Sequence, residues 1–195
     1  MTALRIGIIG TGLMAQTMAA AIGHVGGLAV GGFLSRDAQR AGTIAAGYTG
    51  AKAYAALDAM LADPAIGAVY VANETAAHAE TAIAALTAGK PVLCEKPCAI
   101  TADQAARIAE TASDSGTLFM EAIATPLLPA VAMAIREAAS GGLGTPRHLT
   151  ASFGYKASAA SHPGCYAPVG GGVLLDRAVY AVALARLVMG PVDRV

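Results

Sequence analysis

The stretch "RIGIIGTGLMAQTMAAAIG" passes from an apolar strand through a glycine turn straight into a helix. It contains G-x-G-x-x-A as Gly10-Thr11-Gly12-Leu13-Met14-Ala15, and each small residue has its own steric task. Gly10 permits the tight turn, Gly12 lets backbone approach a pyrophosphate, and Ala15 lets the helix sit close to the strand. The helix start adds unpaired N–H groups and a positive dipole end, which attract anions. A glycine turn alone is common in α/β chains. With a strand before it and a helix after it, this one predicts a dinucleotide site.

The same alternation continues. Residues 5–9, 28–34, 68–72, 91–94 and 118–121 read as short apolar strands. Helices are expected at 13–22, 37–47, 56–62 and 76–86, and from a Thr101 cap to about 115. Short apolar strands alternating with helices imply a parallel sheet covered on both faces. Residues 1–122 are therefore expected to form a doubly wound Rossmann-type α/β domain. Beyond them the character changes. "TPLLPAVAMAIREAASGGLG" predicts a helix, "PRHLTASFGYKA" a longer strand, "SAASHPGCYAPVGGG" a loop and "VLLDRAVYAVALARLVMG" an apolar helix. "PVDRV" resembles the beginning of another strand. Residues 123–195 thus read as an incomplete second α/β domain lacking its sheet, with apolar faces left exposed.

Charge narrows the partners. With 13 basic and 13 acidic residues and no basic run, neither nucleic acid nor an anionic membrane is expected as a partner. No charge-free apolar stretch reaches the roughly 18 residues of a membrane span. The opening "MTALRIGIIG" enters a strand at once rather than a leader-like core. Cys94, Cys98 and Cys165 are a sparse, odd set, expected as reduced thiols in a cytoplasmic protein. Without a histidine cluster beside them no metal site is expected. His24, His148 and His162 have no partner visible in sequence and read as structural.

Two further stretches refine the site. At the end of the second strand, "FLSRDAQR" offers Ser35 and Arg36 where an NAD-specific chain usually carries an acid for the ribose hydroxyls. A hydroxyl and a guanidinium suit a 2′-phosphate, so NADP is the expected cofactor, with NAD the second choice. Asp37 is expected to cap the next helix. In "GKPVLCEKPCAIT", Glu95 and Lys96 follow the apolar run that ends at Cys94. Ligands of parallel sheets bind beyond the carboxyl ends of strands, so Lys96 is expected to face the crevice. Glu95 would offset its charge there, and Pro97 would fix the turn that aims it.

With "GTGLMA", "SRD", "VYVANETAAH", "CEKP" and "GGGVLLDRAVY" in this order, the chain resembles the Gfo/Idh/MocA oxidoreductases. It looks most like the branch of dihydrodiol dehydrogenases and glucose–fructose oxidoreductase-like enzymes. The resemblance implies a Rossmann domain followed by an α/β domain with an open-faced sheet. It also implies hydride transfer between NAD(P) and a hydroxyl or carbonyl carbon of a sugar, cyclitol or diol. Lys96 matches the lysine that hydrogen-bonds the reacting oxygen, Asp176 the acid of the glycine-rich motif, and Tyr180 the proton donor. Residues four apart share a helix face, which would place Asp176 and Tyr180 together. An ammonium beside a phenol favours proton transfer, so Lys96 is expected within hydrogen-bond reach of the Tyr180 hydroxyl, directly or through one water, close to the nicotinamide site. The resemblance assigns Gly10, Thr11, Gly12, Leu13, Met14, Ser35, Arg36, Ala72, Asn73, His78, Glu95 and Lys96 to the cofactor. For His78, a ring satisfied by backbone is the competing reading. Ala124, Pro126 and Leu127 depart from the dihydrodiol branch at positions that line its substrate, and Ala178 replaces a glycine. Family chains are longer, which reads this one as a fragment or a truncation; a complete second domain would imply a homo-oligomer. The rival to the enzyme is a non-catalytic NADP-binding sensor or regulatory module.

Overall fold

Six short runs pair into one sheet: β1 (Leu4–Ile9), β2 (Leu28–Leu34), β3 (Lys52–Tyr54), β4 (Ala68–Val71), β5 (Val92–Cys94) and β6 (Phe119–Glu121). The computed structural model describes residues 2–194. All neighbouring strands are parallel, in the order β3-β2-β1-β4-β5-β6. The strand order reverses between β1 and β4, where the loops leaving the carboxyl ends diverge and open a crevice.

Side-chain alternation explains why both faces are covered. Ile8, Val30, Phe33 and Tyr70 pack with Ala15, Ala19 and Ile22 of α1 (Leu13–Ile22) and Ala41 and Ala45 of α2 (Ala38–Ala45). Their sequence neighbours Ile9, Val69 and Val71 point the other way, with Val92 and Cys94. There they meet α3 (Leu57–Ala62), α4 (His78–Thr87) and Ile108 of α5 (Ala102–Ser115). A fully buried residue such as Ile8 contributes roughly 1.5–3 kcal/mol by leaving water. Ala15 and Ala19 are fully buried and let α1 approach the sheet closely. Asp37 caps α2 by accepting from Arg40 N at 2.9 Å, and Thr101 caps α5 by accepting from Gln104 N at 3.2 Å. Gln104 replies by accepting from Ile100 N at 3.0 Å, a form of reciprocal capping.

The sequence reading did not anticipate β3. Only three residues long and carrying Lys52, it has too little apolar pattern to register. Tertiary contacts hold it instead. Tyr54 Oη and Lys52 Nζ donate to Asp63 Oδ2 at 2.6 and 2.7 Å.

The chain divides into two compact units, Met1–Glu121 and Ala122–Val195. The second contains α6 (Pro129–Ser140) and α7 (Val179–Met189), with 3-10 turns at Thr125–Leu127 and Pro163–Tyr166. A π turn, Leu174–Ala178, leads into α7. Among its described residues there is no strand. Residues 146–157, expected as a long strand, form neither strand nor helix, and 191–194 likewise do not pair. A strand needs a neighbour for its backbone N–H and C=O groups, and the described residues of this unit supply none. Val195, the last residue of that second expected strand, lies outside the described residues. Among the described residues, no helix is long and apolar enough to cross a membrane.

Candidate active site

The crevice is built from the turns that follow β1, β2, β4 and β5. Gly10 has φ +124°, and a Cβ there would sit 2.2 Å from the Ala72 carbonyl oxygen. The β1 turn can therefore pass the loop after β4 only if residue 10 has no side chain. Gly12 differs. A Cβ on it would meet no atom within 4 Å, so its bare backbone faces open space. It begins α1 with no side-chain cap, leaving the first N–H groups of that helix for another acceptor. Thr11 is buried, with its hydroxyl 3.2 Å from that of Ser35. Leu13 and Met14 are apolar yet 80% and 47% exposed at this same helix start.

The ends of β2 and β4 flank this turn. Ser35 Oγ accepts from Asp37 N at 3.2 Å, and Arg40 Nη2 donates to the Thr11 carbonyl at 2.9 Å. The Arg36 guanidinium donates to Glu74 Oε1 at 2.5 Å in an exposed ion pair. After β4, Asn73 Nδ2 donates to Thr81 Oγ1 at 3.0 Å, while its Oδ1 is buried with no partner. A buried acceptor without a donor costs about 1–3 kcal/mol. Such an orphan atom, an uncapped helix start and a glycine whose missing Cβ faces open space together fit a dinucleotide.

Beyond β5 the turn at "EKP" contains a cis Lys96-Pro97 peptide bond. Lys96 is half-buried and Pro97 buried. Glu95 is buried too. Its Oε1 accepts from the Tyr70 hydroxyl of β4, and its Oε2 accepts from Lys96 N at 3.3 Å. The Glu95 carboxylate is thus committed to a phenol and a backbone amide as well as lying beside Lys96 in the chain. Burial first, and then the Glu95 carboxylate, push the Tyr70 hydroxyl well above the usual tyrosine range, so Tyr70 stays a donor. His78, with 2% of its surface exposed, has Nδ1 2.8 Å from the Pro97 carbonyl and Nε2 3.3 Å from the Asn73 carbonyl. It ties the loop after β4 to the loop after β5, and its bearing on a cofactor runs through those loops. The flanking thiols are quiet. Burial raises Cys94 strongly, and burial with the neighbouring Glu121 charge pushes Cys98 up to about 12.

Asp176 and Tyr180 belong to the second unit. Asp176 lies in the π turn, so its four-residue spacing to Tyr180 begins in a wider turn than an α-helix has. The wider turn changes the angular step only slightly, so residues four apart remain neighbours on one side of the helix. Cys165 Sγ donates to Asp176 Oδ2 at 2.8 Å, and Arg177 Nε lies 3.0 Å from the same oxygen as an ion contact. Arg177 also stacks 4.2 Å over the Tyr155 ring, while Phe153 lies 5.2 Å from the Tyr180 ring. Tyr155, Tyr166, Val173, Asp176 and Arg177 line a cavity of about 340 Å³ within this unit.

Sequence reasoning missed Glu74, Arg40 and Tyr70. Glu74 and Arg40 lie within "VYVANETAAH" and "FLSRDAQR", but neither was given a role there. Tyr70 had a usable signal, because alternation in β4 sets it opposite to Val69 and Val71.

Two family descriptions match the chain. "Oxidoreductase family, NAD-binding Rossmann fold" covers residues 4–123, and "GFO/IDH/MocA C-terminal domain" covers 132–195. The chain belongs to the Gfo/Idh/MocA oxidoreductase family. One Gfo/Idh/MocA relative is the D-xylose 1-dehydrogenase (NADP(+)) 2 of Haloferax volcanii. It is 35% identical over 83% of this chain and 50% of its own length. The trans-1,2-dihydrobenzene-1,2-diol dehydrogenase of Bos taurus is 34% identical over 80% of this chain and 46% of its own. Among solved structures, a lysine mutant of a 3-ketoreductase from Actinomadura kijaniata, in complex with TDP-benzene and NADP, superposes with TM-score 0.80. It shares 31% identity and covers 97% of this chain and 57% of that one. The chain spans about half the length of the curated relatives it matches.

Proposed function

We propose that this chain carries the coenzyme-binding part of an NADP-dependent oxidoreductase acting on a hydroxyl or carbonyl carbon of a sugar, cyclitol or diol. One observation carries the reading: the uncapped start of α1 behind Gly10 and Gly12 shares the carboxyl edge of one sheet with Lys96. Gly12, Thr11 and the first N–H groups of α1 would hold the pyrophosphate, with Leu13 and Met14 beside them. Ser35 and Arg36 would hold the 2′-phosphate, and Ala72, Asn73, His78 and Glu95 would shape the nicotinamide end. When bound, the nicotinamide supplies the hydride acceptor or donor. Lys96 would hydrogen-bond the reacting oxygen, and the family resemblance offers Tyr180 for the hydroxyl proton and Asp176 as the acid of the glycine-rich motif. Family relatives named for xylose, dihydrodiol and inositol substrates support the substrate class. The cysteines form no disulfide among the described residues, which suits a reducing compartment such as the cytoplasm.

The test is a fluorescence titration with NADPH and NADH, followed by turnover on a panel of polyols and keto-sugars. Preferential NADPH binding with turnover is expected, and failure to bind either coenzyme would overturn the reading. Binding without turnover would favour a coenzyme-binding module, consistent with the absence of strands among the second unit's described residues. Lys96→Met should retain NADPH binding and lower kcat by roughly 10²–10⁴-fold, the share usual for acid–base assistance. An unchanged kcat would remove Lys96 from the chemistry.

A further inference from the structure

In the sheet, β2 and β4 lie on either side of β1. The loops leaving them flank the carboxyl end of β1, and their charged tips meet. Arg36, two residues past β2, donates to Glu74, three residues past β4, at 2.5 Å. Both side chains are mostly in water, 87% and 71% exposed. The other guanidinium nearby, Arg40, is anchored on the Thr11 carbonyl. Arg36 is thus the cation at this rim already matched with an anion, and that anion belongs to the protein.

We propose that Glu74 is a coenzyme-specificity residue, whose carboxylate holds Arg36 across the end of β1 and competes with a 2′-phosphate for it. This rests on the NADP reading above. A carboxylate and a phosphate seek the same guanidinium N–H donors, so a phosphate competes with Glu74 for Arg36. Exposure makes that exchange easy, because a solvated ion pair is weak. The displaced carboxylate remains nearby and repels the incoming anion, an effect that salt screens. NADH has no 2′-phosphate and leaves the pair undisturbed. Glu74 therefore penalises NADPH alone and moderates the preference that Arg36 creates.

Dissociation constants for NADPH and NADH, measured on the 195-residue chain at low salt, test this. Both substitutions are made on exposed side chains, so folding is not at stake. Glu74→Gln should tighten NADPH about two- to fivefold, the range of an exposed ion pair, and leave NADH unchanged. The improvement should shrink in higher salt and in the Arg36→Gln background. NADPH binding that is unchanged or weaker in Glu74→Gln would overturn the proposal. So would an equal improvement for NADH, or one that persists in full without Arg36. Arg36→Gln weakening both coenzymes equally would instead remove the NADP reading, a separate result.

Discussion

Gly10 and Gly12 stand two residues apart and obey different constraints, which makes them separable by experiment. Gly10→Ala places a methyl 2.2 Å from the Ala72 carbonyl at φ +124°, so backbone must move. A loss of at least about 1–3 kcal/mol is expected in denaturant unfolding, the cost of a strained backbone position. Gly12→Ala meets nothing in the free protein and should cost less than about 1 kcal/mol of stability, in line with small cap effects. It should nonetheless weaken NADPH, because the methyl occupies the approach to the turn. Equal stability losses for both variants would contradict the geometry. Both glycines were legible in the sequence because G-x-G-x-x-A encodes a steric requirement in residue identity. Glu74 was not legible: its significance lies in meeting Arg36 across two strands, which no local pattern records. The Tyr70–Glu95 pair was hidden for the same reason, since adjacent strands bring those side chains together.

At the scale of elements, the sheet is closed on one side by β3, a three-residue edge strand held by side chains. Asp63 is its anchor. Hydrogen bonds from Lys52 first and Tyr54 next, then from Ala65 N, hold its carboxyl well below its ordinary value of 3.8. The sign of the pH effect follows from linkage. A depressed carboxyl contributes its stability in full above the unfolded value and loses it as pH falls through the folded one. Acid should therefore erode the Asp63 contribution progressively below about pH 3.8. Thermal melts of wild type and Asp63→Asn should differ at neutral pH and converge as the solution is acidified. A constant gap would show that Asp63 acts through packing alone. Elements of the first unit were largely legible, because apolar runs between glycine and proline breaks leave little choice. The misses share one physical cause. β3 forms despite weak local preference because a partner strand and Asp63 are available, whereas residues 146–157 stay irregular because the described residues of their unit offer no partner strand.

Across the whole molecule, the two units differ in how their backbone is protected. The first has six paired strands and two apolar clusters, while the second has helices, turns and the irregular run 146–157. Hydrogen exchange follows buried, bonded backbone. Amides of β1, β4 and β5 should be the slowest, and those of residues 146–157 among the fastest. Uniform protection across both units would count against this division.

The methionines grade the same surface in another currency, reactivity toward peroxide. Met60 is fully buried, while Met14, Met120, Met133 and Met189 are 47%, 44%, 57% and 42% exposed. Thioether oxidation follows exposure, so peptide mass spectrometry after mild peroxide should find Met60 spared and the other four converted to sulfoxide. Met14 stands at the start of α1, beside the glycine turn. Saturating NADPH should slow its oxidation while Met133 and Met189 react as before, and an unchanged rate at Met14 would place the bound coenzyme elsewhere. The chain carries a footprinting probe at its own glycine turn and the controls to calibrate it.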